Sequence, residues 1–122
     1  MKRFVFVVAG AVLMSGFSLV AAGAPVAGTP GQDAAKIAAG KKVYDTNKCM
    51  ACHAIDGKGM KKYPLDGIGT KLTADDIRKW IATPAEMEAK QAVKQPLKMK
   101  AFKLAPADLD ALVAYLSSLK KK

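Results

Sequence analysis

Histidine and cysteine are nearly missing from this 122-residue chain: His53 is the one histidine, and Cys49 and Cys52 are the two cysteines. Beyond a cysteine pair, a zinc site needs two further ligands of the right type. No third cysteine exists and the histidine is adjacent to Cys52, so zinc is nearly excluded. Acidic residues are scarce too, ten against twenty Lys and Arg. A basic helix interleaved with aromatics is also absent, which argues against nucleic acid as a partner. No segment alternates apolar and polar residues at period two, and no internal repeat occurs, so neither a sheet nor a solenoid is expected.

Only one long apolar run is present, Phe4 to Val20, behind Lys2 and Arg3 and ahead of the small residues of "VAAGAPVAG". These are the three regions of a secretory signal peptide. Small residues at Ala22 and two positions before it favour cleavage after Ala22, so residues 1–22 are set aside and export to the periplasm is expected. No other stretch is apolar enough to span a membrane. Removing Lys2 and Arg3 leaves eighteen cations against ten acids, a formal +8 on the mature chain, which bears on solubility and on partners with an acidic face. About 100 residues remain, enough for one domain with a modest core.

Residues 23–32, "GAPVAGTPGQ", read as a flexible lead-in, and 33–122 as the domain. Asp33 is placed to cap a first helix with Ile37, Gly40 and Tyr44 on one face, running into Cys49. Ala54 to Thr70 reads as an irregular loop, long enough to be wrapped around something. Thr73 caps a helix carrying Ile77, Trp80 and Ile81. Thr83 to Glu86 reads as a capping box with proline at the first helical position, opening a polar helix to about Lys94. Pro106 opens the last helix, with Leu109, Leu112, Val113, Leu116 and Leu119 as its buried stripe and Lys120 to Lys122 at its end, favourable to the helix dipole. The fold class expected is all-α, with helices at both ends and long loops between.

The stretch Cys49-Met50-Ala51-Cys52-His53 carries the chemistry. A redox dithiol of the thioredoxin kind belongs at the end of a strand, which the pattern here does not supply. A structural disulfide would close a very short loop and contribute little. Covalent haem c uses all three residues: the two thiols become thioethers on the porphyrin, and the next residue sets its imidazole against the iron. With no second histidine, the sixth position falls to methionine, lysine, a main-chain or solvent group, or nothing. Met50 lies between the thioethers and Met60 is too close in sequence to pass around the macrocycle. Met99, in an irregular connector before the last helix, is favoured, and Met87, in the first turn of a helix, is the alternative. His53 and Met99 are therefore the expected metal ligands.

These residues resemble a class I monohaem cytochrome c over about Ala34 to Leu119: "GKKVY", "CMACH", "YPLDG", "LTADDIRKWI", "KMKAF" and "LDALVAYLSSL" occur in that order. The resemblance implies the cytochrome c fold, with Gly40 and Tyr44 of the first helix crossing Leu112 and Tyr115 of the last around a covalently attached haem. It further implies that Pro64 offers its carbonyl to the free nitrogen of His53, and that Trp80 approaches a haem propionate, with plain core packing as the other reading for Trp80. Two departures stand out. Tyr44 to Cys49 is one residue longer than is common in the family, and an additional helical stretch lies between Trp80 and Met99.

A filled sixth position leaves no open site for a substrate, so a one-electron carrier rather than an enzyme is expected, exchanging electrons with redox proteins. Lys48, Lys58, Lys61, Lys62, Lys98 and Lys100 would steer an acidic partner, unless they are only a solvated surface. Two alternatives stand beside the carrier: a haem subunit docked to a larger oxidoreductase, and a haem protein with a labile sixth ligand.

Overall fold

A computed structural model describes residues 30–121; the expected signal peptide and most of the lead-in lie outside the described residues. Helix α1 spans Pro30–Thr46. It begins on a proline, whose fixed φ suits a first helical position. Asp33 therefore sits inside the first turn rather than at the cap, where its charge still meets the positive end of the helix dipole.

Helix α5, Pro106–Ser118, buries Ala111, Leu112, Val113 and Leu116 and packs most extensively against α1. Gly40 makes this crossing close: a Cβ there would lie 1.9 Å from the Ala111 carbonyl oxygen and 2.7 Å from Tyr115 Cβ. Tyr44, one helical turn on, meets Tyr115 edge to face with ring centroids 5.9 Å apart. Burial pushes the Tyr44 hydroxyl pKa up to about 12.

Helix α3, Ala74–Ala82, starts with a reciprocal capping box. The Thr73 hydroxyl accepts from the Asp76 amide at 3.1 Å, and the Asp76 carboxylate accepts from Thr73. Ile77 and Ile81 join Tyr44, Leu112, Val113 and Leu116 in the apolar cluster, and the Arg78 guanidinium ties α3 to Asp110 of α5. Helix α2 is one turn, Ile68–Lys71, seated on the end of α5 through Gly69, where a Cβ would lie 2.1 Å from the Ser117 carbonyl oxygen. Lys120 does not extend α5. It lies beyond the helix and donates to the Gly69 carbonyl at 2.6 Å, so this lysine fastens α2 instead of complementing a dipole.

Three further expectations from the sequence need correction. The capping box at Thr83 does not form: Thr83 is at once the C-cap of α3 and the N-cap of α4, and its hydroxyl donates backward to the Lys79 carbonyl. Helix α4 is also shorter than expected, Pro84–Ala89. Lys94 ends it by donating to the Glu88 and Ala89 carbonyls at 2.9 and 3.3 Å, satisfying acceptors that a longer helix would have used. The loop from Ala54 to Thr70 is likewise not wholly irregular. It opens with a two-stranded hairpin, β1 (Ala54–Ile55) and β2 (Lys58–Gly59), turned by Asp56 and Gly57 at φ 50° and 74°, the left-handed pair that an Asp-Gly turn supplies. Apart from this hairpin, the regular elements among the described residues are all helical, as an all-α fold requires.

Candidate functional site

Helix α1 stops short of the cysteines. Asn47 folds its side-chain amide back to the Val43 carbonyl at 2.8 Å, and Lys48 turns left-handed at φ 54°. A 3-10 turn, Cys49–Ala51, follows. The amides of Cys52 and His53 both donate to the Cys49 carbonyl, at 3.1 and 3.0 Å, so both cysteines and the histidine are presented by one tight turn. The thiols are unbridged. Burial raises the Cys49 pKa, the reverse of what an attacking dithiol needs. Among the described residues no three His, Cys, Asp or Glu side chains converge to hold a bare metal ion.

His53 is oriented by its Nδ1–H, which donates to a main-chain carbonyl at 3.0 Å. That carbonyl belongs to Tyr63, not to Pro64, which corrects the expectation for Pro64. A proline holds the residue before it in extended conformation, so Pro64 sets the direction of the Tyr63 carbonyl without supplying the acceptor. A carbonyl can only accept, which places the proton on Nδ1 and leaves the Nε2 lone pair free for a metal. The loop is fastened to the motif elsewhere too. The Leu65 amide donates to the Ala54 carbonyl at 2.8 Å, and the Met60 amide to the Met50 carbonyl at 3.1 Å. Gly59, at φ 101°, runs so close that a Cβ would lie 2.2 Å from the His53 carbonyl oxygen.

On the other side of the sequence, Met99 is half-buried and packs on the apolar cluster, as Cys49 does. Every residue from Ala89 to Lys98 is exposed, so Met99 is where that segment turns inward. Met87 is half-buried on α4 but stands outside the cluster, as Trp80 does on α3. A cavity of about 740 Å³ under α4 is lined by Pro84, Glu88, Lys94, Lys98 and Met99 among others, and touches none of the motif residues.

The family model for cytochrome c matches residues 37–120, a span that contains the cysteine pair, His53, Tyr63 and Met99. The chain belongs to the cytochrome c family. This cytochrome is also 33% identical over 91 residues to cytochrome c oxidase subunit 2 of Alkalihalophilus pseudofirmus, covering 66% of its own length and 25% of the relative's. It therefore spans about a quarter of that relative. No solved structure matches.

Haem c fits the residues of this cytochrome. Two free thiols flank a turn whose next residue offers an imidazole lone pair, so the thiols are placed to become thioethers on a porphyrin and the nitrogen to ligate its iron. The Tyr63 hydroxyl is buried with no partner among the protein atoms, and its ring meets His53 edge-on at 6.5 Å. A buried hydroxyl left so on the ring that neighbours His53 fits a site completed by a polar group that the polypeptide does not supply. Ile55, Leu65, Ile68, Leu72, Phe102 and Leu104 pack on the cluster but are only partly covered, forming a border of apolar side chains for a large apolar group.

Sequence reasoning missed Tyr63, Gly59 and Gly69. The signal for Tyr63 was its place before proline, and for Gly59 the Asp-Gly turn two residues earlier; nothing local marks Gly69. Lys48, Lys58, Lys61, Lys62, Lys98 and Lys100 are all exposed. Two of them are held on aromatic faces, Lys62 over Tyr63 at 5.7 Å and Lys100 over Phe102 at 5.2 Å. No helix among the described residues is long and apolar enough to cross a membrane.

Proposed function

We propose that this cytochrome is an exported, periplasmic one-electron carrier and not itself an enzyme, with one haem c attached through Cys49 and Cys52 and with His53 and Met99 as axial ligands. The observation that carries the reading is the His53 Nδ1–H bond to the Tyr63 carbonyl, which leaves a nitrogen lone pair beside two free thiols on one turn. Bound haem supplies a one-electron iron couple whose potential is raised by His/Met ligation. The residues of the chain do the rest. Tyr63 holds the imidazole in one tautomer and orientation, which keeps His53 basic toward iron. Met99 brings a neutral sulfur from the connector before α5, and the partly covered apolar side chains limit access of water. The exposed lysines on both sides of the site offer an acidic redox partner a cationic approach.

The optical spectrum of the oxidised protein tests the ligand set. Wild type carries the iron–sulfur charge-transfer band and Met99→Ala loses it; a band that persists in Met99→Ala moves the ligand to Met87.

A second reading has one observation in its favour, the likeness to a quarter of an oxidase subunit. In it, the same haem unit works docked to a larger oxidoreductase. Purification under mild conditions separates the two: a carrier elutes alone, a docked unit with its enzyme.

A further inference from the structure

We propose that Glu88 is a positioning residue for Met99, and that α4 is the splint holding the segment that presents the axial sulfur; the proposal rests on Met99 being that ligand.

The connector between α4 and α5 has no strand or helix of its own, and its residues before Met99 are all exposed. Besides its packing on the apolar cluster, Met99 is held by a small number of specific bonds. Its own amide donates to the Glu88 carboxylate at 3.1 Å. Three residues later the Phe102 amide donates to the Ile81 carbonyl at 2.9 Å. The backbone carrying the sulfur is thus tied to α4 by a side chain and to the end of α3 by the main chain. A carboxylate accepting from an amide makes a charge-assisted bond, stronger than a neutral one.

Glu88 is itself held in place. Pro84, the first residue of α4, is buried, and Thr83 joins α4 directly to α3. Lys94 folds the connector back by donating to the Glu88 and Ala89 carbonyls, while the Gln91 amide donates to the Glu88 carbonyl at 3.1 Å. Apart from Pro84, α4 adds no buried residue to the protein. Its contribution is a fixed carboxylate. Without that carboxylate the Met99 amide would turn to water, the connector would regain conformational freedom, and the sulfur would yield more readily to a competing ligand.

The test uses the haem-loaded protein and imidazole, which competes for the sixth position of the oxidised form. Glu88→Ala is expected to bind imidazole about tenfold more tightly than wild type, with Met99 amide hydrogen exchange faster by a similar factor. Glu88→Gln keeps an acceptor oxygen at the same reach and is expected to stay within about threefold of wild type. Urea midpoints followed by circular dichroism report any general loss of stability separately. Glu88→Ala with wild-type imidazole affinity and a slow Met99 amide overturns the proposal. So does a wild-type Met99 amide that exchanges at the unprotected rate, a measurement that needs no variant to fold. The charge-transfer band in Met99→Ala distinguishes the two failures: if it persists, the ligand assignment is at fault, and if it is lost while the Glu88 variants behave as wild type, only the positioning role is.

Discussion

Gly40 sits where α1 passes closest to α5, and the consequence of adding one methyl group can be argued from distances. Alanine gains about 1 kcal/mol over glycine in a helix interior. Its Cβ would, however, lie 1.9 Å from the Ala111 carbonyl oxygen, a backbone atom that moves only if the helices separate. Overpacking of that kind costs about 1–3 kcal/mol or more and outweighs the propensity gain. Gly40→Ala is expected to lower the urea midpoint, and a midpoint equal to or above wild type would show that the helices part freely. Pro64 and Tyr63 teach a related lesson. Proline was legible as important, but the atom that binds His53 belongs to its neighbour, because proline restrains the conformation of the residue before it.

At the scale of elements, α3 depends on two carboxylates of half-buried residues. Hydrogen bonding from Thr73 holds the Asp76 pKa below its ordinary value, and hydrogen bonding from Arg78 does the same for Asp110. Both groups ionise more readily in the folded chain than in the unfolded one. Their stabilisation is therefore complete above the ordinary value of 3.8 and is lost as pH falls through the lower values of the folded state. The urea midpoint should fall below about pH 4 more steeply in wild type than in a protein carrying Asp76→Asn and Asp110→Asn. Parallel curves would remove both carboxylates from the account. Helix α4 belongs to this scale as well. Proline at a first helical position made its start legible, but its end was not, because the side chain that satisfies its last carbonyls belongs to Lys94, five residues beyond the last helical residue.

For the whole molecule the balance of charge is the property that bears on partners. From Lys90 to Lys103 there are five lysines and no acid, and Lys48, Lys58, Lys61 and Lys62 stand around the cysteine turn. If these surfaces guide an acidic redox protein, the bimolecular rate of electron transfer falls by roughly tenfold or more as ionic strength rises from about 0.01 M to 0.15 M. A flat response would leave the lysines as a solvated surface. The core enters here too. Its buried hydrophobic side chains are few, and the apolar residues around them remain partly covered, which suits a domain whose interior is completed by a prosthetic group.

Read alone, the sequence determined the cysteine–histidine motif and the helical character. Cysteine and histidine spacing is a local property, as are a proline that opens a helix and a threonine that caps one, and such signals need no knowledge of what packs where. The absence of a second histidine leaves the methionines as candidates for a second ligand. Tertiary structure alone decided which carbonyl orients His53, that Gly69 seats α2 on α5, that Lys120 serves α2 rather than its own helix, and that Glu88 reaches Met99. Each of these is a meeting of residues from ten to fifty-one positions apart. Such meetings depend on where the chain returns after helices have crossed, and no window of neighbouring residues encodes that path.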